Sequence, residues 1–319
     1  MSWVPVVDLC ADPEAVCSAV AEACQRVGFL TVMNHGVAPH VLAGAWSEAR
    51  AFFDLPLPRK LEVAMPYLGY PYGYAPMGTE TLSASLGQAS LGQPSLPDLK
   101  ESFSIGPVDP ALHPFSDPDE ASAWLPNRWP AMQPSMQPAW ERAYRELSQL
   151  SARLLSMMAR SLGLDTQYFD PMINRHTSAM RALNYPVTDS ATSAGGQRAG
   201  AHTDYGTLTL LMADPDVGGL EVHRPNGEWA PVVAVPGALV VNLGDAMARW
   251  TNDRWRSTLH RVGQAGGRRQ SIAFFHNANW DATIECLPGC LTPGEQPRYP
   301  PMAAGPHLMA KFRSTVEPG

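Results

Sequence analysis

The hydrophobic period of the sequence changes near residue 165, and this change constrains the fold more than any other feature. Before it, apolar residues recur at steps of three and four, which predicts amphipathic helices over 12–27, 39–53 and 140–162. After it, short apolar and β-branched runs alternate with turn sequences and predict strands at MRALNY, TLTLLMA, LEVHR, WAPVV, ALVVNL and SIAFFHN. The sequence therefore predicts an α+β fold, in which helices back an antiparallel sandwich or jelly roll.

The first part of the chain mixes helix, strand and loop. FLTVMNHG predicts a short strand that a turn ends, between the first two helices. Residues 66–138 are rich in Pro, Gly and Ser and predict long loops, with one strand at SFSIGP. A domain boundary near residue 165 is one interpretation, but helices followed by strands also fit one domain. We expect a single domain over 1–319, with a mixed N-terminal region over 1–115 and a strand-rich core over 165–290.

Composition excludes several classes of protein. The net charge is −7 and the 23 Lys and Arg form no basic run, which argues against nucleic acid as a partner. The N-terminus has no basic stretch followed by an apolar one, and no apolar run approaches about 18 residues, so we expect a cytoplasmic protein without membrane association. The five cysteines form no CxxC pair and predict free thiols. The expected partner is a small molecule, and the sequence does not predict the oligomeric state.

Two histidines and an aspartate form the candidate metal site. His202 and Asp204 lie two positions apart, just before the predicted strand TLTLL, so an extended chain directs both side chains to one face. His260, in STLHRV, borders another apolar run. Two His and one carboxylate on adjacent strands form a facial triad, which leaves coordination positions open for substrate and O2. These three residues are therefore the candidate metal ligands, and their arrangement suits redox chemistry at iron.

A candidate anion site follows the third histidine. Arg269 and Ser271, in RQSIAFF, alternate onto one face of a predicted strand. A guanidinium beside a hydroxyl suits a carboxylate, because the pairing is charge-assisted and bidentate.

Other polar residues receive structural interpretations. His35 is assigned to a turn, His223 to an exposed hairpin, His276 to the satisfied core and Asp245 to a turn of its own. A further set of apolar and aromatic residues is interpreted as a substrate lid: Met65, Tyr67, Tyr70, Tyr72 and Met77.

With these motifs in order, the chain resembles the isopenicillin N synthase-like branch of the 2-oxoglutarate and Fe(II)-dependent oxygenases. VPVVDL and GFLTVMNHGV resemble the dioxygenase-type N-terminal region of that family, HTD and His260 resemble its iron ligands, and RQS resembles its carboxylate site. Tyr185, in LNYP, matches the tyrosine that helps to hold the same carboxylate, whereas Leu183 stands where plant members have asparagine. The resemblance implies a double-stranded β-helix (jelly roll) core that carries the iron site.

The resemblance also implies an activity. Such an enzyme uses Fe(II), 2-oxoglutarate and O2, with the far carboxylate of 2-oxoglutarate on Tyr185, Arg269 and Ser271, and oxidises an unactivated C–H bond of a small molecule. Hydroxylation is the default outcome, with desaturation, epoxidation or cyclisation open, and secondary metabolism is the expected setting. An alternative within the same family is an oxidase or cyclase that omits 2-oxoglutarate, in which Arg269 and Ser271 hold the carboxylate of the substrate. A zinc hydrolase and a non-catalytic binding module are the alternatives from other classes.

Overall fold

The protein is described by a computed structural model that covers residues 3–67, 69–79, 98–115, 117–187, 198–263 and 267–316. The helices are α1 (Pro13–Arg26), α2 (Pro39–Phe53), α3 (Leu57–Leu61), α4 (Pro118–Ala123), α5 (Met136–Ser161), α6 (Asp170–Ile173), α7 (Asp245–Trp250) and α8 (Ala304–Val316). The strands are β1 (Val6–Asp8), β2 (Phe29–Met33), β3 (Gly73–Ala75), β4 (Glu101–Ile105), β5 (Ala179–Tyr185), β6 (Ala199–His202), β7 (Leu208–Met212), β8 (Leu220–His223), β9 (Trp229–Pro231), β10 (Leu239–Leu243), β11 (His260–Val262), β12 (Arg269–His276), β13 (Thr283–Ile284) and β14 (Met302–Ala303).

Two sheets face each other in the strand-rich core. The major sheet has the strand order β1-β2-β10-β7-β12-β5-β4-β3, and the minor sheet has the order β6-β11-β8-β9. From β5 to β12 the chain passes back and forth between the two sheets, and the pairings are antiparallel. This alternation is that of a double-stranded β-helix, so the predicted α+β class with a jelly-roll core is confirmed.

Helices α1, α2 and α5 cover the outer face of the major sheet. Asp12 caps α1 by accepting hydrogen bonds from two backbone amides, and Pro13 occupies the first turn. The apolar stripe of α5, including Leu147 and Leu154, packs in one core cluster with α1, α2 and the strands beneath. Burial of this large apolar surface anchors the sheet on one side and leaves its other face free to form a cavity.

Strand β12 shows how the pleat divides these two environments. Its even-numbered apolar residues, Ile272 and Phe274, belong to the helix-covered core. The odd-numbered residues Arg269, Ser271 and Ala273 face the minor sheet. Because side chains alternate along a strand, the eight residues of β12 contribute one face to the hydrophobic core and the other face to the cavity.

Several elements were not predicted. Strand β6 consists of small residues and His, so it has little hydrophobic signal of its own and depends on pairing with β11. Helix α7 has only six residues directly after β10, and helix α8 follows a proline-rich segment, so the local pattern of each is weak. The predicted long loop over 66–138 contains the expected strand β4, but β3 and α4 also lie there. Residues 80–97 of that loop lie outside the described residues.

Two sequence expectations concern thiols and membranes. All five cysteines are free, as predicted. Within the described ranges, no helix has both the length and the apolar character required to cross a bilayer.

Candidate metal centre

The two predicted histidine ligands are direct cross-strand neighbours in the minor sheet. His202 ends β6, His260 begins β11, and the register pairs them, with ring centroids 4.3 Å apart. Asp204 lies in the loop after β6, and its Oδ1 is 3.8 Å from Nε2 of His202 and 3.7 Å from Nε2 of His260. One ligand atom from each of the three lies within 4.8 Å of the others. The pair His202 and Asp204 precedes strand β7, as expected from the sequence, and His202 also ends β6, a strand that was not predicted.

Backbone carbonyls fix the orientation of both imidazoles. Nδ1 of His202 lies 2.8 Å from the carbonyl oxygen of Gly200, and Nδ1 of His260 lies 3.0 Å from that of Thr258. A carbonyl only accepts, so each Nδ1 carries a proton, and in a neutral imidazole of this tautomer the lone pair is on Nε2, the atom on the side of Asp204. Such hydrogen bonds set the tautomer that a metal requires.

Two buried donors hold the carboxylate of Asp204. Thr209 donates from Oγ1 and Asn242 from Nδ2 to Oδ2 of Asp204, at 2.5 Å and 2.6 Å, which leaves Oδ1 toward the histidines. The sequence reasoning missed both residues. Asn242 could have been suspected, because it is a lone amide in the apolar run ALVVNL, and a buried polar group needs a partner.

Electrostatics favour the protonation states that bind a cation. Burial lowers the pKa of His202 to about 4, and the neighbouring His260 acts in the same direction. Burial alone would raise the pKa of Asp204, but the two imidazoles and the hydrogen bonds from Asn242 and Thr209 lower it overall. At neutral pH the site therefore presents neutral His202 and an ionised carboxylate.

The predicted anion site lies on the major sheet. Arg269 of β12 pairs in register with Tyr185 of β5, and its guanidinium lies 4.9 Å from the centre of the Tyr185 ring. Its Nη1 donates to Oγ of Ser271 at 3.1 Å, and its Nε donates to the carbonyl of Gly218 at 2.7 Å. Arg269 is only 1% exposed, so its charge is desolvated and its orientation is fixed.

A cavity of about 260 Å³ between the sheets joins the two sets of residues. It is lined by all six predicted site residues: Tyr185, His202, Asp204, His260, Arg269 and Ser271. Of the residues interpreted as a lid, Tyr72 contributes to the wall, while Met65, Tyr67 and Met77 are exposed. Leu308, Met309 and Phe312 of α8 also line the cavity, and the sequence did not predict this role.

The donor set matches the requirements of Fe(II). Two imidazoles and one carboxylate on one side of a cavity form a facial arrangement, and the open side faces space that a co-substrate could fill. A buried arginine with a hydroxyl beside it, on the opposite sheet, matches a carboxylate.

Comparisons with known proteins identify the family. Residues 4–132 match the family described as "non-haem dioxygenase in morphine synthesis N-terminal", and residues 170–278 match the "2OG-Fe(II) oxygenase superfamily". The chain belongs to the isopenicillin N synthase-like 2-oxoglutarate and Fe(II)-dependent oxygenases. The 2-oxoglutarate-Fe(II) type oxidoreductase hxnY of Emericella nidulans is 36% identical over 302 residues, which cover 93% of this chain and 83% of that protein.

Two further relatives support this assignment. The proline hydroxylase buaE of Petromyces alliaceus is 36% identical over 299 residues, covering 90% of this chain and 88% of its own. The crystal structure of a full-length Neurospora crassa protein in complex with alpha-KG and thymine superposes with a TM-score of 0.83 at 29% identity, covering 98% of this chain and 96% of that chain. The protein is thus a dioxygenase that uses Fe(II), 2-oxoglutarate and O2, and the alternatives that omit 2-oxoglutarate or iron are not favoured.

Four polar residues were interpreted from the sequence as structural, and the structure agrees with these interpretations to different degrees. His35 is buried beside a turn that contains Gly36, and its Nε2 lies 3.1 Å from the carbonyl of Gly237. His276 is fully buried, and its Nδ1 contacts Oγ1 of Thr207 at 2.7 Å, although its Nε2 has no hydrogen-bond partner among the described residues.

The other two interpretations need correction. His223 is half-buried against Trp229, with ring centroids 4.9 Å apart, because the hairpin packs its aromatic residues together. Asp245 begins α7 instead of forming a separate turn, and it accepts hydrogen bonds from Ser257 and Thr203. It thereby supports the loop that carries Asp204.

Proposed function

We propose that His202, Asp204 and His260 bind the Fe(II), and that Arg269, with Ser271 and Tyr185, binds the far carboxylate of 2-oxoglutarate. The observation that carries this proposal is that both sets line one cavity, with the triad at the minor sheet and the arginine on the major sheet. A co-substrate that has a metal-chelating end and a carboxylate end fits between them.

When bound, Fe(II) and 2-oxoglutarate supply the activation of O2, with release of succinate and CO2. The chain contributes position and environment. The Nδ1–carbonyl hydrogen bonds of His202 and His260 keep their Nε2 atoms directed at the centre, and Thr209 and Asn242 hold the carboxylate of Asp204. Arg269 would hold the far carboxylate of the co-substrate, because it lines the same cavity as the three metal-binding residues.

We further propose that the reaction is hydroxylation of an unactivated C–H bond in a small molecule, and not the oxidation of nucleic acid. The cavity of about 260 Å³ is small, and relatives include a proline hydroxylase and a protein solved with thymine. We also propose one catalytic domain over 1–319, since the major sheet contains strands from β1 to β12, with the iron-binding jelly roll over 165–290. Five free cysteines support a reducing, cytoplasmic location, and secondary metabolism is the proposed setting.

Anaerobic spectroscopy tests the assignment of the site. Metal-free protein receives Fe(II) and then 2-oxoglutarate, and the weak visible charge-transfer band of the chelated 2-oxo acid is recorded. We expect the band in the unmodified protein, no band in His202→Ala, and a band in Arg269→Ala only at 2-oxoglutarate concentrations about 10- to 100-fold higher, because a charge-assisted contact is lost.

Two variants serve as controls. His223→Ala removes a half-buried histidine on β8, and Arg175→Gln removes an exposed arginine that pairs with Asp281; both should keep the band. A band that survives in His202→Ala, or an Arg269→Ala variant with unchanged affinity for 2-oxoglutarate, would contradict the proposed roles.

A further inference from the structure

Arg198, directly before β6, is a buried arginine with an unsatisfied donor. Its side chain is 3% exposed, and its Nη1 has no hydrogen-bond partner among the described residues. Its Nη2 donates to the carbonyl oxygen of Gly267 at 2.6 Å. An unsatisfied buried donor is uncommon in proteins, because burial removes the group from water and nothing replaces the lost hydrogen bonds. The hydrogen bond to Gly267 therefore does not by itself account for a charged side chain at this position.

The guanidinium of Arg198 lies beside the proposed carboxylate site. Gly267 is two residues before Arg269, so the hydrogen bond to its carbonyl places this guanidinium at the start of β12. Ala199, the next residue, shares a small apolar cluster with Tyr185, and both of these residues line the active-site cavity. Burial lowers the pKa of Arg198, and the positive charge of Arg269 lowers this pKa further, as expected for two guanidinium groups close enough to repel each other.

Within the described ranges, no carboxylate forms an ion pair with either arginine. Arg269 is 1% exposed and donates to two neutral groups, the carbonyl of Gly218 and the hydroxyl of Ser271. Asp214 lies beside β12, but its carboxylate accepts hydrogen bonds from backbone amides, one of them that of Gln270. Two buried charges of the same sign repel each other, and burying a charge without a counter-ion is costly. An anion that enters this end of the cavity would reduce both costs.

Deepening the proposed function, on which this inference rests, we propose that Arg198 is a second positively charged positioning residue for 2-oxoglutarate. Arg269 contacts the far carboxylate, and Arg198 attracts it through the charge of its guanidinium. Direct contact is not required, because a charge in a buried site acts over several ångströms. The two arginines together select a 2-oxo acid whose far end is ionised over one whose far end is neutral.

Two 2-oxo acids that differ only at the far end test this inference. Fe(II)-loaded protein is titrated anaerobically with 2-oxoglutarate and with 2-oxopentanoate, which has the same chelating end and a methyl group in place of the far carboxylate. The visible charge-transfer band gives both affinities. We expect Arg198→Gln to bind 2-oxoglutarate about 10-fold more weakly, and 2-oxopentanoate within about twofold of the unmodified protein, because only the first acid has a charge for Arg198 to attract.

Further variants separate charge from structure. Arg198→Lys keeps the positive charge and should retain most of the affinity for 2-oxoglutarate. The control Arg175→Gln, which removes a positive charge far more exposed than that of Arg198, should behave as the unmodified protein. Competition with a chelator measures the Fe(II) affinity of each variant, and this affinity is the reference if 2-oxopentanoate binds too weakly to give a band. If Arg198→Gln does not fold, Arg198→Met, which keeps the apolar stem, takes its place.

Three results would overturn the inference: an Arg198→Gln variant with unchanged affinity for 2-oxoglutarate, equal losses for the two acids or for Fe(II), or an Arg198→Lys variant as weak as Arg198→Gln. Failure of the proposed function is a separate result. It appears as the absence of the band with 2-oxoglutarate in the unmodified protein, or as unchanged affinity in Arg269→Ala. Weaker binding in Arg269→Ala together with unchanged binding in Arg198→Gln would reject the role of Arg198 alone.

Discussion

Asp204 shows how neighbouring residues orient a proposed metal ligand. Its carboxylate is 7% exposed and has two oxygens with different partners: Oδ2 accepts from Thr209 and Asn242, while Oδ1 faces the histidines. Without the two donors, a buried carboxylate could rotate between several orientations, and each metal-binding event would have to select one. We therefore expect Thr209 to contribute to iron affinity, although it offers no ligand atom.

At this residue scale we predict that Thr209→Val weakens Fe(II) binding by about 10- to 100-fold, because the isosteric change removes one hydrogen bond to the ligand carboxylate. Anaerobic competition against a chromophoric chelator measures the affinity. Thr209→Ser keeps the hydroxyl and should restore most of it. Equal affinities for the valine and serine variants would show that this hydrogen bond does not position Asp204.

At the scale of structural elements, two glycines allow the loop after β6 to lie close to β12 and α7. A Cβ on Gly206 would lie 2.5 Å from the carbonyl oxygen of His276, and one on Gly244 would lie 2.2 Å from that of Gly206. Both distances are shorter than a carbon–oxygen contact allows. The loop that carries Asp204 is thus wedged between the end of β12 and the start of α7, and only glycine fits at these two positions.

We predict that Gly206→Ala lowers the free energy of unfolding by about 1–3 kcal/mol through overpacking, and that it weakens Fe(II) binding by displacing Asp204. Urea unfolding and chelator competition measure the two effects. Gly44→Ala is the matched control, since nothing lies within 4 Å of its added Cβ and it lies inside α2, where alanine is the better helix former. A Gly206→Ala variant as stable as Gly44→Ala would contradict the wedged arrangement.

At the scale of the whole molecule, the half-buried His176 and the buried His276 lie between α5 and the strand-rich core. His176 contacts Oγ of Ser148 on α5 at 2.6 Å, and its ring centroid is 5.1 Å from that of His276 on β12. Burial lowers the pKa of His176 to about 4 and also lowers that of His276 well below its usual value. Both rings are therefore neutral in the folded protein at neutral pH.

Because of these two histidines, we predict that the free energy of unfolding decreases as the pH falls. The unfolded chain binds protons on these histidines below about pH 6.5, whereas folded His176 does so only near pH 4, so stability is present above pH 6.5 and falls as the pH falls toward 4. We expect His176 to account for about 2 kcal/mol of the stability lost between pH 7 and pH 5. Urea unfolding of metal-free protein should show a flatter profile for His176→Gln, and the exposed control His40→Gln should keep the original slope. Parallel profiles for all three proteins would contradict this origin.

Much of the fold could be predicted because the hydrophobic pattern is strong where elements are long or deeply buried. The helices α1, α2 and α5 and the strand β12 lie where periodicity placed them. Strand β6 could not be predicted, since it consists mostly of small residues with weak strand preference. Helix α8 could not be predicted either, since glycine and proline in its first turn weaken the helical pattern. Both elements depend on contacts with distant parts of the chain.

By itself, the sequence determined the identity of the polar residues that approach the centre: the spacing of His202 and Asp204, the distant His260 and the alternation of Arg269 with Ser271. Only the tertiary structure decided that they share one cavity, that Thr209 and Asn242 hold Asp204, and that Arg198 lies beside the start of β12. The physical reason is that pleat and spacing are local properties of a strand, whereas the pairing of β6 with β11, and of β5 with β4 and β12, brings together residues that are far apart in the chain.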